Sequence, residues 1–239
     1  LQSYFGEKPA PILRRFLEDV MPEIPLKKRI RLHVDIPTKA REEYLKVKQE
    51  FGDWLDDYLK KAFDDPEIAA STAEKALAAE PLAKLNYLRR VLGRGKAVGA
   101  AAWVKAMLLK KEPVVVFGMF SDVVDILGQL LSKLNITFTR LDGTMSRQQR
   151  QIAVDAFTHG KVNVFLSMMA GREGLTLHRG NVSDALKQPA NLLFLERWYT
   201  PAAEEQAEDR IRRFGQKRPV KVWYLHAIDT IDDKLSKKP

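Results

Sequence analysis

Apolar residues are distributed in two ways along the 239-residue chain. From residue 112 onward, short unbroken apolar runs alternate with amphipathic stretches. "PVVVFGMF", "ITFTRLDG", "VNVFLS", "NLLFLE" and "VKVWYLHA" read as strands, and 121–134, 146–158 and 201–214 read as helices between them. Strands that are apolar throughout, joined by helices, predict a parallel sheet covered on both faces. Residues 1–111 read as mainly helical, with helices near 39–63, 66–79, 81–93 and 97–110 separated by "DDP", "EP" and "GRG". The exception is "RIRLHVDI", where Ile30, Leu32, Val34 and Ile36 alternate with polar residues as in a half-buried strand. The expected organisation is therefore a mainly helical segment, 1–111, ahead of an α/β lobe, 112–239.

In open parallel sheets, ligands bind beyond the carboxyl ends of the strands. Four loops follow strands and should line that edge: Gly118–Ser121, Asp142–Ser146, Ser167–Thr176 and Glu196–Pro201. Residues 178–190 read as a surface loop.

Composition narrows the chemistry. The net charge of +9 favours anionic partners. The absence of cysteine excludes disulfides and thiolate metal sites, and is compatible with a reducing compartment. The four histidines (His33, His159, His178, His226) have no metal-ligand spacing. No apolar run approaches the ~20 residues of a membrane span. The chain opens at Leu1 without a signal peptide, which suggests a piece of a longer parent.

The densest charge lies in "EEQAEDRIRRFGQKRP", Glu204 to Pro219. On a helix starting after Thr200, with Pro201 in its first turn and Gly215 at its end, Gln206, Arg210 and Arg213 form one stripe. Ala203, Ala207, Ile211 and Phe214 form the apolar stripe beside it, and Arg212 points elsewhere. A solvated helix end and a grip for phosphate both fit this pattern.

The same residues carry a resemblance. "QAEDRIRRFGQKRPVKVWYL" resembles the last motif of superfamily-two helicases in the form used by Swi/Snf-type DNA-translocating ATPases, with Gln206, Asp209, Arg210, Arg213, Gly215 and Gln216 on the pattern. Further family motifs follow in order: "VVVFGMFSDVVDIL", "LDGTMSRQQRQIAVDAF", "LSMMAGREGLTL", "LERWYTP" and "AIDTIDDKL". Upstream, "ILRRFLEDVMPEIPLKKRIRLHVDI" resembles the stretch joining the two ATPase lobes. The chain is thus similar to a C-terminal RecA-like lobe, leaning to the annealing-helicase branch. It departs from the family at Arg172, Thr176, Gly118 and Arg212, and in the length of the 178–190 loop.

The resemblance implies roles. Arg210 and Arg213 would reach the γ-phosphate of ATP as arginine fingers, and Gln206 would orient nucleotide or water. Gly171, Gly174 and Asp209 would border the nucleotide. Gly118, Ser121, Asp142, Gly143, Thr144, Ser167, Arg172 and Thr176 would meet the phosphate backbone of double-stranded DNA. Ser146 reads equally as a helix cap, and Trp198 either as a stacking surface for a partner or, in a structural role, as a wedge for the last helix.

No G-x-x-x-x-G-K-[ST] occurs, and "GRGKAVG" lacks its spacing. The phosphate cradle and the ligands for Mg²⁺ are therefore expected on a first lobe outside the chain, and the chain alone is expected to be inactive. Chromatin remodelling or DNA repair in the nucleus, or in a bacterial nucleoid, is the expected setting. A non-catalytic nucleic-acid-binding or scaffold lobe is the alternative. A Rossmann-type enzyme is disfavoured, because no G-x-G-x-x-G follows the first strand of the α/β half.

Overall fold

The computed structural model describes residues 23–64, 73–168, 176, 177, 179, 189–198 and 200–235. Motif-loop residues Gly171, Arg172 and Gly174 lie outside the described residues, as does most of the 178–190 loop.

Six parallel strands form one sheet: β1 (Lys27–Val34), β2 (Val114–Phe117), β3 (Thr139–Leu141), β4 (Val164–Ser167), β5 (Asn191–Phe194) and β6 (Val220–Ala227). Their order is β1-β6-β5-β2-β4-β3. All six expected strands form. β1 comes from the mainly helical part of the chain and extends the sheet at one edge, with Lys27 opposite Val220 and Val34 opposite Ala227.

Alternate residues of each strand feed opposite faces. Val114, Val116, Leu166, Leu193 and Leu225 pack beneath two helices, α2 (Ala73–Leu109) and α3 (Ser121–Lys133), against Ala100, Val104, Val123 and Leu127. Val115, Phe117, Phe165, Leu192, Phe194 and Val222 point the other way, toward Phe157 of α4 (Arg147–Thr158) and Ala207 of α5 (Pro201–Glu208). Helices on both faces explain why these strands lack polar alternation. α4 starts with a full capping box: Ser146 Oγ accepts from Gln149 N, and the Gln149 side chain accepts from Ser146 N. α1 (Thr38–Asp64) lies beside α2, and α6 (Ile231–Leu235) closes the fold.

Three helix boundaries differ from expectation. "EP" and "GRG" do not break the chain, since α2 is one helix of 37 residues. Its glycines are packing sites. A Cβ on Gly99 would lie 2.7 Å from Val34 Cγ1, one on Gly95 3.0 Å from Ala40 Cβ, and one on Gly93 2.6 Å from Glu196 Oε1. The helix-propensity cost of ~1 kcal/mol per glycine is offset by the burial this approach allows.

At the other end, α5 stops at Glu208 rather than continuing to Phe214. Tertiary partners take the carbonyls downstream: Leu177 N donates to Arg210 O (2.9 Å), and Gln216 Nε2 donates to Ile211 O (3.1 Å). Gly215 ends the segment at φ 92°. Ala207 and Ile211 reach the core as expected, whereas Phe214 is left 69% exposed.

Candidate functional site

Because every strand runs the same way, the loops after β2, β3, β4 and β5 emerge at one sheet edge. Early termination of α5 does not scatter the expected stripe. Gln206, Asp209, Arg210 and Arg213 line one cleft of about 360 Å³, together with Ile24, Arg212 and Phe214. The Arg213 guanidinium donates to Thr176 Oγ1 at 2.8 Å, which joins the loop after β4 to the arginine segment. Partial burial, and then the like charge of Arg213, lower the pKa of Arg210. Burial raises the pKa of Asp209, against the pull of Lys27 and Arg212, and its Oδ1 is enclosed without a hydrogen-bond partner among the described residues. The cleft therefore pairs two guanidiniums under mutual repulsion with an exposed amide at Gln206, a donor set that suits phosphate oxygens. Among the described residues, no group of three or more His, Cys, Asp or Glu could hold a metal ion.

Buried acids fix this wall. Glu208 has no exposed surface. It receives Arg29 Nε and Nη2 (2.8 and 2.9 Å), Tyr224 Oη (2.8 Å) and Lys27 Nζ (2.5 Å). Burial pushes its carboxyl upward, but the bonds from Arg29 and Lys27 bring it below the usual range. Glu204 holds Arg197 through both oxygens (2.9 and 2.8 Å) and accepts from Trp198 N (2.8 Å). The Trp198 ring stands edge-on against Phe117 and Phe194, so it acts as a wedge. The sequence reading assigned no role to Glu204 or Glu208. Their signal was present in the alternating Lys27 and Arg29 of β1, but the pairing spans most of the chain.

Arg212 differs most from expectation. It does point away from Arg210 and Arg213, but it points inward. It is 3% exposed, and its Nε donates to Pro25 O at 3.0 Å, so it is an internal strut. Gln216 is also internal: Nε2 donates to Pro189 O (2.9 Å) and Oε1 accepts from Arg218 N (3.0 Å).

The strand-end loops divide into surface groups and anchors. Ser121, Gly143, Thr144 and Thr176 are exposed. Ser167 is fully buried, and its carbonyl accepts from Gly118 N (3.0 Å). Gly118 is required by packing, because a Cβ there would collide with Val124 Cγ2. Asp142 is turned onto its own loop. Oδ1 accepts from Thr144 N and Oγ1 (3.0 and 2.6 Å), and Oδ2 faces Arg140 Nε at 3.1 Å. The Thr144 hydroxyl bond is the chief cause of its lowered pKa. Arg150 braces the same turn from α4 through Met145 O and Gly143 O.

The fold that carries this cleft is a RecA-like lobe. Residues 99–215 match the helicase conserved C-terminal domain. The ATP-dependent helicase FUN30 of Saccharomyces cerevisiae is 34% identical over 128 residues, 53% of this chain and 10% of that protein. Among solved structures, the C-terminal part of the Fun30 ATPase domain superposes with a TM-score of 0.65 at 21% identity, covering 90% of this chain and 89% of that one. The Sulfolobus solfataricus SWI2/SNF2 ATPase core in complex with dsDNA superposes with a TM-score of 0.67 at 18% identity, covering 88% and 43%. The chain belongs to the Swi2/Snf2 family of helicase-like ATPases, as a C-terminal RecA-like lobe. Its matches span 10% to 22% of the curated relatives' length.

Proposed function

We propose that this chain is the second ATPase lobe of a DNA-dependent translocase, and that Arg210 and Arg213 are its arginine fingers. The observation that carries the reading is the shared cleft of Gln206, Arg210 and Arg213. Two guanidiniums held close repel each other, and an anion seated between them relieves that repulsion. In phosphoryl transfer the protein acts mainly by positioning groups and stabilising spreading charge. Fixed arginine forks suit that task, and Glu208 holds the segment that carries them. ATP and Mg²⁺ belong mainly to a first lobe outside the chain, where the resemblance puts the phosphate cradle. Gln206, exposed at the rim, is suited to orienting nucleotide or water.

DNA contact falls to the exposed groups at the sheet edge, Ser121, Gly143, Thr144 and Thr176, and to backbone amides of the loops that Gly118 and Asp142 hold. The related SWI2/SNF2 core bound to dsDNA and the ATP-dependent helicase FUN30 support this reading.

The test is Arg213→Ala and Arg210→Ala in the two-lobe parent. ATPase turnover should fall by ~10³-fold or more, with the melting temperature nearly unchanged, because charges at a surface edge add little stability. Turnover that survives both substitutions would refute the finger roles, whereas a parent whose first lobe lacks a phosphate cradle would favour a non-catalytic nucleic-acid-binding or scaffold lobe.

A further inference from the structure

Glu196 lies where β5 ends, between the DNA-facing loop and the arginine segment. Its carboxylate is 3% exposed. Oε2 accepts the Met119 amide at 2.9 Å, in the middle of the Gly118–Ser121 loop. Oε1 is buried with no hydrogen-bond partner among the described residues. A single main-chain bond therefore aims a costly buried acid at one loop.

The surroundings keep the acid in place. α2 carries glycine at position 93, where a Cβ would lie 2.6 Å from Oε1 and 2.9 Å from Val123 Cγ2. Arg89 and Lys96 on α2 favour the charged form, while burial first and Asp232 on α6 second oppose it, holding the carboxyl up at about 7. Lys96 is itself committed to Asp232 Oδ2 (2.9 Å) and Leu225 O (3.1 Å). Arg89 donates to the carbonyl of Arg197.

From Glu196 the chain runs directly to the cleft. Arg197 and the Trp198 amide are clamped by Glu204 on α5, and α5 carries Gln206 and leads into Arg210. Met119, Glu196, Arg197 and Glu204 thus form one continuous set of bonds between the loop after β2 and the start of α5.

We propose that Glu196 is a positioning residue that couples the Gly118–Ser121 loop to the arginine cleft, so that DNA seated on that loop raises turnover. The proposal rests on the finger and DNA-loop reading given above. No side-chain contact of Glu196 with DNA or nucleotide is involved.

The test measures ATPase rate against DNA concentration in the two-lobe parent, for Glu196→Leu, Glu196→Gln and, in parallel, Arg213→Ala. Leucine removes the acceptor for Met119 N, and glutamine restores one. Glu196→Leu should keep its DNA-free rate within about twofold and its half-saturating DNA concentration near wild type, while maximal stimulation falls by about tenfold, within the usual range of coupling between sites. Glu196→Gln should recover most of the stimulation, which a purely packing role would not predict. Wild-type stimulation in Glu196→Leu overturns the proposal, as does an equal loss of the DNA-free and stimulated rates in both variants.

Should Glu196→Leu fail to fold, Gly93→Ala pushes the carboxylate aside while leaving its chemistry intact. Lost stimulation in Gly93→Ala supports the coupling, and full stimulation overturns it. A normal rate in Arg213→Ala would sink the finger reading separately, whatever the Glu196 variants show.

Discussion

Glu208 and Arg29 meet through two parallel bonds, of 2.8 Å from Nε and 2.9 Å from Nη2, on a carboxylate with no exposed surface. The pair joins the end of α5 to the edge strand β1, so the arginine cleft is built against the first strand of the sheet. Removing the acid deprives Lys27 and the Tyr224 hydroxyl of this acceptor and leaves Arg29 with the longer bond to Glu205 (3.4 Å). Glu208→Ala should cost about 3 kcal/mol by chemical denaturation at neutral pH. The acid's folded pKa lies below its ordinary value, so its stabilisation is complete above the unfolded pKa of 4.5 and fades as pH drops through the folded value. Wild type and Glu208→Ala should therefore converge in stability on acidification below about pH 4. A gap that stays constant down to pH 2 would contradict the assignment.

Arg212→Ala should act on folding. Its guanidinium is buried and bonded to Pro25 O, so truncation should lower stability by about 2 kcal/mol. Whatever activity the folded fraction keeps should then track the melting curve, unlike Arg213→Ala. Arg212→Ala melting at the wild-type temperature would show that the strut is dispensable.

Three glycines separate space from conformation. Gly118→Ala drives a methyl into Val124 and should destabilise by roughly 1–3 kcal/mol. Gly128→Ala meets Phe138 Cζ at 3.2 Å, a contact that a small ring shift absorbs, and should cost less. Gly52 lies inside α1 with nothing within 4 Å of an added Cβ, so Gly52→Ala should stabilise by about 0.5–1 kcal/mol. Thermal melts of the three variants should rank in that order, and reversal of the first and last would refute it.

DNA binding by the lobe should be carried by phosphate contacts. Its affinity should be indifferent to sequence, and its logarithm should fall linearly with log salt, with a slope near −0.9 per phosphate neutralised. Titrations with two unrelated duplexes at several salt concentrations check both points. A flat salt response would remove the strand-end loops as the interface.

What could be read in the sequence was local. Apolar runs located β2, β4 and β5, which are buried throughout and need no distant information, while period-two alternation located β1, whose residues are exposed or half-buried. Ser146 was legible as a helix cap from its position alone, and the structure adds Gln149 as the other half of a capping box. The failures were non-local. "GRG" looks like a helix breaker until Ile36, Ala40 of α1 and Glu196 are pressed against it. α5 follows helical spacing through Phe214, but Leu177 and Gln216 claim the carbonyls that would continue it. Arg212 was correctly turned away from its neighbours, yet helical geometry could not say that Pro25 waited on that side. Glu208 binds Arg29 across 179 positions of sequence, and no periodicity reveals such a partner.

The sheet is completed by its own ends, with Lys27 meeting Val220 and Val34 meeting Ala227. In a chain made from the amino terminus, β1 is the first of the six strands to leave the ribosome and the last to find its neighbour. At 5–20 residues per second that wait is roughly 10–40 s. Through it, "KKRIRLHV" carries two lysines and two arginines in eight residues. That charge keeps an unpaired strand from joining a stray edge during the wait, and two of those cations, Lys27 and Arg29, later lock it to Glu208.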